Sequence, residues 1–236
     1  MKKKSHKVYD IYGQALYDYF QHGEADKLIL HTSYERVEEM PVDWFFRDEE
    51  DFPPLEMKAL EACQGKILDI GAGVGSHAVY LHEMGKEVHC LDQSPLCVAI
   101  MKARGLKPVY QQSLWESLPH RYDTLLMLMN GIGIVGKIEG LRKFLQMANS
   151  LLLSDGQIIF DSSDLSYLYT DIRQSYNPYK GEISYQYEYK GMKDQWFSWL
   201  YVDPVTMQKI AEEEGWSMRI LAEDHNDQYL GKLKKL

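Results

Sequence analysis

Cysteine is scarce in this chain. Three cysteines, Cys63, Cys90 and Cys97, occur among 236 residues, and no two of them have C-x-x-C spacing. Three thiols cannot all pair, which excludes the disulfide framework of small secreted proteins, and we expect reduced thiols in a cytoplasmic protein. The eight histidines show no spacing typical of metal ligands, so we predict no metal site.

Long apolar runs and an excess of basic residues are also missing. Uninterrupted apolar stretches such as Leu125–Met129 are far too short to cross a bilayer. The N-terminal M-K-K-K-S-H-K has no apolar segment behind it, so we predict neither a signal peptide nor a membrane partner. Lysine and arginine number 26 against 35 acidic residues, for a formal net charge of −9, which disfavours nucleic acid as a partner.

The hydrophobic content of 45% is sufficient for a large folded core, and the chain divides into two parts. Residues 1–53 form an N-terminal segment and arm, because a helical stripe runs from Val8 to Tyr19 and residues 33–53 lack periodicity. Residues 54–236 form an α/β domain. Its first part alternates strands with helices, which implies a parallel sheet covered on both faces. The predicted strands are 67–70, 88–91, 108–111, 124–129 and 157–161.

The alternation of strands and helices ends after Asp161. Apolar and polar residues alternate strictly over 183–190, and an aromatic strand follows over 195–202, which predicts a β-hairpin insertion at about 177–202. A helix over 204–214 and two strands over 218–222 and 228–233 complete the chain. The link between these last two strands is too short for a crossover helix, so they should be antiparallel.

Residues 65–76 read G-K-I-L-D-I-G-A-G-V-G-S, a glycine loop directly after a strand. Gly71, Gly73 and Gly75 allow a ligand to approach the backbone, and Asp92 ends the next strand, where a carboxylate accepts both ribose hydroxyls. A dinucleotide needs G-x-G-x-x-G, but Ser76 stands at the third position, and Asp69 would repel a pyrophosphate. S-adenosylmethionine carries two cationic groups and no phosphate, so it suits this loop better.

The stretch L-D-I-G-A-G-V-G, the Asp92 strand end and L-L-L-S-D-G-Q-I-I-F-D resemble the class I S-adenosylmethionine-dependent methyltransferases over roughly residues 54–161. The resemblance implies a Rossmann-like, doubly wound, seven-stranded and mostly parallel sheet with the last strand antiparallel. It also implies S-adenosylmethionine as cofactor. The methionine portion would lie at the glycine loop and after the fourth strand, the ribose at Asp92, and the adenine after the third strand. The implied cofactor-binding residues are Asp69, Gly71, Ala72, Gly73, Gly75, Asp92, Gln93, Ser113, Leu114, Met129 and Asn130.

No residue of the sequence is unmistakably catalytic. Asp161 and Asp164, near the carboxyl end of the fifth strand, are candidates for orienting an amine or accepting a proton, although capping of the next turn explains them equally well. His77 is a third candidate, with packing at the helix start as the alternative. Arg47 is placed to reach the methionine carboxylate, or to be an ordinary exposed arginine.

The sequence therefore predicts methyl transfer to a small-molecule acceptor with an aromatic or otherwise apolar body. Residues 162–202 and 9–50, both rich in tyrosine and tryptophan, should form the acceptor pocket. An NAD(P)-dependent oxidoreductase and a non-catalytic S-adenosylmethionine-binding protein are the alternatives. The oligomeric state stays open, with a homodimer among the options.

Overall fold

The computed structural model describes residues 10–34, 36–118, 120–165 and 179–236. Its N-terminal elements are α1 (Ile11–His22), β1 (Leu28–Thr32), β2 (Val37–Met40), two 3-10 helices (Asp43–Phe46 and Glu49–Asp51) and α2 (Pro54–Ala62). Its central elements are β3 (Ile67–Ile70), α3 (Ser76–Glu83), β4 (Val88–Asp92), α4 (Pro95–Ala103), β5 (Val109–Gln111), β6 (Tyr122–Met127), a 3-10 helix (Gly131–Val135), α5 (Ile138–Leu151) and β7 (Leu152–Ser163). Its C-terminal elements are β8 (Glu182–Tyr189), β9 (Met192–Lys193), β10 (Phe197–Leu200), α6 (Pro204–Glu213), β11 (Trp216–Glu223) and β12 (Gln228–Lys235).

Two features of the sequence predictions lie partly outside the described residues. Val8 begins the predicted N-terminal helical stripe, and residues 166–178 belong to the predicted acceptor pocket, with 177 and 178 at the start of the predicted insertion.

Seven of the described strands form a large sheet in the order β11-β12-β7-β6-β3-β4-β5. The strands from β3 to β7 pair in parallel, whereas β12 is antiparallel to both β7 and β11. The predicted α/β fold, with a mostly parallel seven-stranded sheet and an antiparallel last strand, is confirmed. The strand order reverses between β3 and β6, so a ligand crevice is expected beyond their carboxyl ends.

Both faces of the large sheet are covered, because the buried strand residues alternate between two cores. Leu68 and Leu125 pack with α5 and α6, whereas Ile67 and Leu126 pack with α2, α3 and α4. Local signals place the helices. Ser94 caps α4 by accepting a hydrogen bond from the Cys97 N–H at 3.0 Å, as its position before Pro95 predicts.

A small sheet with strand order β10-β8-β1-β2, extended by β9, joins the hairpin to the N-terminal segment. The predicted hairpin is present, and β8 and β10 are antiparallel with Phe197 opposite Tyr185. Strands β1 and β2 do not follow from the sequence pattern. They are five and four residues long, and β1 pairs with β8, about 150 residues away, with Leu30 opposite Tyr187. This long-range pairing leaves no local signature.

Helix α1 lies between the small sheet and α4. Its residues Ile11, Ala15 and Leu16 share one buried cluster with Leu28 of β1 and Ile100 of α4. The small sheet is thereby attached to the large-sheet domain beside the glycine loop. Every helix in the part of the chain that the structure describes is too short or too polar to span a lipid bilayer.

Candidate functional site

The glycine loop lies between β3 and α3, at the carboxyl edge of the large sheet. Gly73 and Gly75 have φ angles of +56° and +80°, which side chains rarely adopt. A Cβ at Gly75 would lie 2.5 Å from Leu106 Cδ1, whereas one at Gly73 would meet only the Tyr12 hydroxyl at 3.5 Å. Gly75 is therefore required for packing against the core, and Gly73 faces the crevice.

Asp69 is a buried carboxylate with an unsatisfied oxygen. Its side chain is at the end of β3, the residue is 3% exposed, and Oδ2 has no hydrogen-bond partner. Burial raises the pKa of Asp69 to about 6, while His77 opposes the rise and Asp92 adds to it. A buried carboxylate oxygen without a donor is costly, and a cationic ligand that donates a hydrogen bond would satisfy it.

Asp92 at the end of β4 is tied to the glycine loop. Its Oδ2 accepts from the Gly73 N–H at 2.9 Å, and its Oδ1 accepts from the Ser94 N–H at 2.8 Å. Burial raises the pKa of Asp92 to about 6, although these two bonds favour the charged form. The structure therefore brings the Asp92 carboxylate into direct contact with the glycine loop.

The residues after β5 form a compact turn. Ser113 donates its N–H to Glu116 Oε1 at 2.9 Å, and its hydroxyl accepts from the Trp115 N–H at 3.3 Å. Leu114 is buried in the core, and Gln93, on the neighbouring strand end, is exposed. The sequence reasoning missed Glu116, which brings a carboxylate to this turn from three residues downstream.

Met129 and Asn130, after β6, both have left-handed backbone conformations, with φ angles of 63° and 54°. Such strain in non-glycine residues persists where surrounding contacts impose it, typically at functional sites. Here the Trp199 Nε1–H donates to the Asn130 carbonyl at 3.1 Å, and the Ser163 hydroxyl donates to Asn130 Oδ1 at 2.8 Å. Strand β10 of the hairpin therefore stabilises the loop after β6 through this hydrogen bond from Trp199.

Asp161 also holds this loop. Its Oδ1 accepts from the Gly131 N–H at 3.1 Å, and its Oδ2 accepts from the Gln228 side-chain amide at 2.9 Å. Burial raises the pKa of Asp161 to about 6. Both oxygens are engaged, which fits loop support better than proton transfer. Asp164 is half-buried, and its N–H donates to the Asp227 carbonyl at 2.8 Å.

The structure brings His77 and Arg47 together through a residue that the sequence reasoning missed, Glu56. His77 Nε2 lies 2.7 Å from Glu56 Oε2, and Arg47 Nη2 donates to Glu56 Oε1 at 2.9 Å. All three side chains are largely buried. Arg47 is therefore not an ordinary exposed arginine. No sequence pattern distinguishes Glu56 from Glu61, the other acidic residue of α2.

We call α1, residues 41–47 and the small sheet the aromatic cover. Tyr12 of α1 stacks on Tyr187 of β8 at 5.2 Å between ring centroids, and Phe45 meets Tyr12 edge-on at 5.3 Å. Sequence periodicity marks Tyr12 only as part of the buried stripe of α1. Its position above Gly73 makes it a wall of the crevice, which only the tertiary structure shows.

A cavity of about 240 Å³ lies between residues of the aromatic cover and Met129. Most of its lining is apolar or aromatic, and two carboxylates stand among the lining residues. The lining residues are Leu30, Glu38, Glu39, Met40, Pro41, Trp44, Phe45 and Met129.

No protein-family profile and no curated protein matches the chain, whereas solved structures do. A crystal structure of an S-adenosylmethionine-dependent methyltransferase from Bacteroides fragilis with S-adenosylhomocysteine is 40% identical, with a TM-score of 0.90 over 96% of this chain and 94% of that one. The CcbJ methyltransferase from Streptomyces caelestis is 15% identical, with a TM-score of 0.62 over 80% and 99% of the two chains. A sugar N-methyltransferase from a Streptoalloteichus species is also 15% identical, with a TM-score of 0.56 over 86% and 96%. These last two show the fold alone.

Proposed function

The chain belongs to the family of S-adenosylmethionine-dependent methyltransferases, and we propose that its acceptor is a small molecule with an aromatic or otherwise apolar body. The observation that carries this proposal is the cavity between the aromatic cover and Met129. Aromatic side chains offer apolar area to such a body, and the cavity is of a size that suits a small ligand rather than a polymer.

The residues at the glycine loop fit S-adenosylmethionine. The unpartnered Oδ2 of Asp69 suits the ammonium group of the methionine portion, and Gly71 and Gly73, which lack side chains, would let the ligand approach the backbone closely. Asp92 would accept from the ribose hydroxyls, and the Ser113–Leu114 turn would border the adenine. When bound, the cofactor supplies an electrophilic methyl group on a sulfonium. Together these residues form the proposed cofactor site.

The chain's own contribution to the reaction is alignment and exclusion of water. Asp161 and Trp199 hold the loop of Met129 and Asn130 in one conformation, and Met129 lines the cavity. With an acceptor bound, the aromatic cover would exclude water from the cavity. An acceptor held there in line with the transferred group needs little further assistance, and a general base is required only for a hydroxyl acceptor.

A small acceptor agrees with two further observations. The sugar N-methyltransferase of the same fold acts on a sugar, so this fold accommodates small acceptors. The cavity presents Glu38 and Glu39, and the chain has a net charge of −9, both unfavourable for a polyanion.

The test is to screen the purified chain with S-adenosylmethionine against small aromatic and aliphatic compounds, peptides, RNA and DNA, with release of S-adenosylhomocysteine as readout. We expect turnover with a small molecule. Phe45→Ala should then raise the KM for that acceptor, while Val37→Ala, at a side chain 63% exposed, serves as the matched control. Turnover only with nucleic acid or peptide, or an unaltered KM in Phe45→Ala, would contradict the proposal.

A further inference from the structure

The hydroxyl of Ser76 connects the helix after the glycine loop to the aromatic cover. Ser76 is the first residue of α3, and its hydroxyl donates to the Phe45 carbonyl at 2.7 Å, 31 residues away in the chain. Serine at the start of a helix commonly caps that helix through its hydroxyl, but no side chain among the described residues caps the N-terminus of α3. Ser76 therefore bonds to the aromatic cover instead of its own helix.

Arg104, directly after α4, determines the direction of the Ser76 hydroxyl. Its Nη1 donates to Ser76 Oγ at 3.1 Å and to the Val74 carbonyl at 2.9 Å. Because a guanidinium carries only donors, Ser76 Oγ must accept from it, and the single hydroxyl proton remains for the Phe45 carbonyl. Val74 belongs to the glycine loop, so Arg104 also attaches this arrangement to the loop.

The Phe45 carbonyl lies near the end of the 3-10 helix Asp43–Phe46. The last carbonyl groups of such a helix have no hydrogen-bond partner within it, so they need donors from elsewhere. The Trp44 carbonyl accepts from Arg47 Nε at 2.8 Å, within the same segment. The Phe45 carbonyl accepts from Ser76, so its position depends on a residue outside the aromatic cover.

A line of buried charged side chains makes a second connection between the same two segments. Arg47 Nη2 donates to Glu56 at 2.9 and 3.2 Å, and His77 Nε2 lies 2.7 Å from Glu56 Oε2. Charges as buried as these are stable only when paired. Because His77 follows Ser76 directly, two consecutive residues of α3 hold the segment that carries Phe45.

The ring of Phe45 forms part of the wall of the cavity, which Met129 also lines. It meets Tyr12 edge-on at 5.3 Å between ring centroids. The next residue, Phe46, packs on Tyr19 of α1 at 4.9 Å, on the side of the cover. A displacement of the Phe45 backbone would move its ring within the wall, so the bond from Ser76 bears on the shape of the cavity.

We propose that Ser76, with its hydroxyl oriented by Arg104, is a positioning residue for the acceptor and acts by holding Phe45 in the wall of the acceptor cavity. The assignment rests on the acceptor site proposed above. It gives a function to the residue at which the glycine loop departs from the dinucleotide pattern. The same residue links the cofactor loop to the acceptor cavity.

The test uses two readouts, hydrogen–deuterium exchange of the backbone amides of residues 43–47 and the affinity for indole of the protein saturated with S-adenosylhomocysteine. Ser76→Ala should accelerate the exchange and weaken indole binding, each by about two- to tenfold, the range expected for one lost hydrogen bond. Affinity for S-adenosylhomocysteine should stay unchanged, because the hydroxyl is bonded to Phe45 and Arg104. Ser76→Thr, which retains a hydroxyl, should keep both readouts near those of the unaltered chain.

Two controls separate this effect from a general loss of structure. Ser150→Ala removes a hydroxyl that donates to the Met147 carbonyl, also at 2.7 Å, within α5, and should change neither readout. In a Phe45→Ala background, Ser76→Ala should cause no further loss of indole affinity, because the ring that it positions is absent.

The failure of this proposal can be told apart from the failure of the acceptor site. A folded Ser76→Ala variant with unaltered exchange overturns the positioning role, as does an equal loss of affinity for S-adenosylhomocysteine. Weaker indole binding in Phe45→Ala but not in Ser76→Ala overturns the positioning role alone. Unaltered indole binding in Phe45→Ala overturns the acceptor cavity, and the positioning role with it.

Discussion

Two regions meet at Met129. One is the cofactor edge, by which we mean the carboxyl ends of β3, β4 and β7 with the glycine loop, and the other is the aromatic cover. The cofactor edge contains three carboxylates, Asp69, Asp92 and Asp161, whose pKa values are raised to about 6 by desolvation. The cover contains stacked rings such as Tyr12 and Tyr187. Charge at the edge suits a cationic cofactor, and ring shape in the cover suits an apolar acceptor.

The largest effect should be the loss of stability when alanine replaces Gly75, compared with the loss when alanine replaces Gly73. Gly75→Ala should reduce the free energy of unfolding by about 2–5 kcal/mol, because it combines a strained φ of +80° with overlap with Leu106. Gly73→Ala carries only the backbone strain, about 1–2 kcal/mol. Chemical denaturation measures both values. Equal losses of unfolding free energy in the two variants would show that Gly75 is no more important for packing than Gly73.

Asp69→Ala tests the charge of the cofactor edge. Affinity for S-adenosylhomocysteine should fall by about 1.5–3 kcal/mol, roughly ten- to a hundredfold, because a charge-assisted hydrogen bond is lost. The ligand-free protein should be at least as stable as before, since a buried carboxylate oxygen without a partner disappears. Titration calorimetry and thermal unfolding of the same sample measure the two effects. Lower stability with unaltered affinity would contradict the assignment of Asp69 to the ligand.

The three raised pKa values predict a pH dependence of stability. A carboxyl with a folded pKa of about 6 and an unfolded one of about 3.9 holds more protons when folded, so its contribution is present below pH 4 and lost as the pH rises through 6. The slope reaches about 1.4 kcal/mol per pH unit for each proton. Denaturation of the ligand-free protein between pH 4 and pH 7 should show this decline. Asp69→Asn should make this decline in stability smaller by the contribution of one carboxyl group. An unchanged decline would exclude Asp69 as a contributor.

The smallest effect should come from the contact between the two regions. Trp199→Phe removes the hydrogen bond from the indole to the Asn130 carbonyl and should cost about 1 kcal/mol, about 2–4 °C in Tm. Trp196→Phe changes a neighbouring indole that is 53% exposed and should leave Tm unchanged. If both substitutions have the same effect, the hairpin does not support the strained loop.

The cofactor edge could be predicted from the sequence because the residues that signal it are close together in the chain. Strand β3, Gly71, Gly73 and Gly75 occupy nine consecutive positions, and Ser94 with Pro95 defines the start of α4 within two residues. The prediction of S-adenosylmethionine as cofactor is confirmed by the family. The assignment of individual cofactor-binding residues stays a prediction.

The sequence by itself determined the α/β fold, the glycine loop after the first parallel strand and the class of cofactor. Periodicity, helix caps and a glycine loop all depend on residues that are close together in the chain. Tertiary structure decided the small sheet, the Tyr12–Tyr187 stack and the Arg47–Glu56–His77 line. Each of these joins segments whose residue types are ordinary in isolation, such as Leu30 opposite Tyr187. Their meaning arises from burial and from partners many residues away, which no local pattern contains.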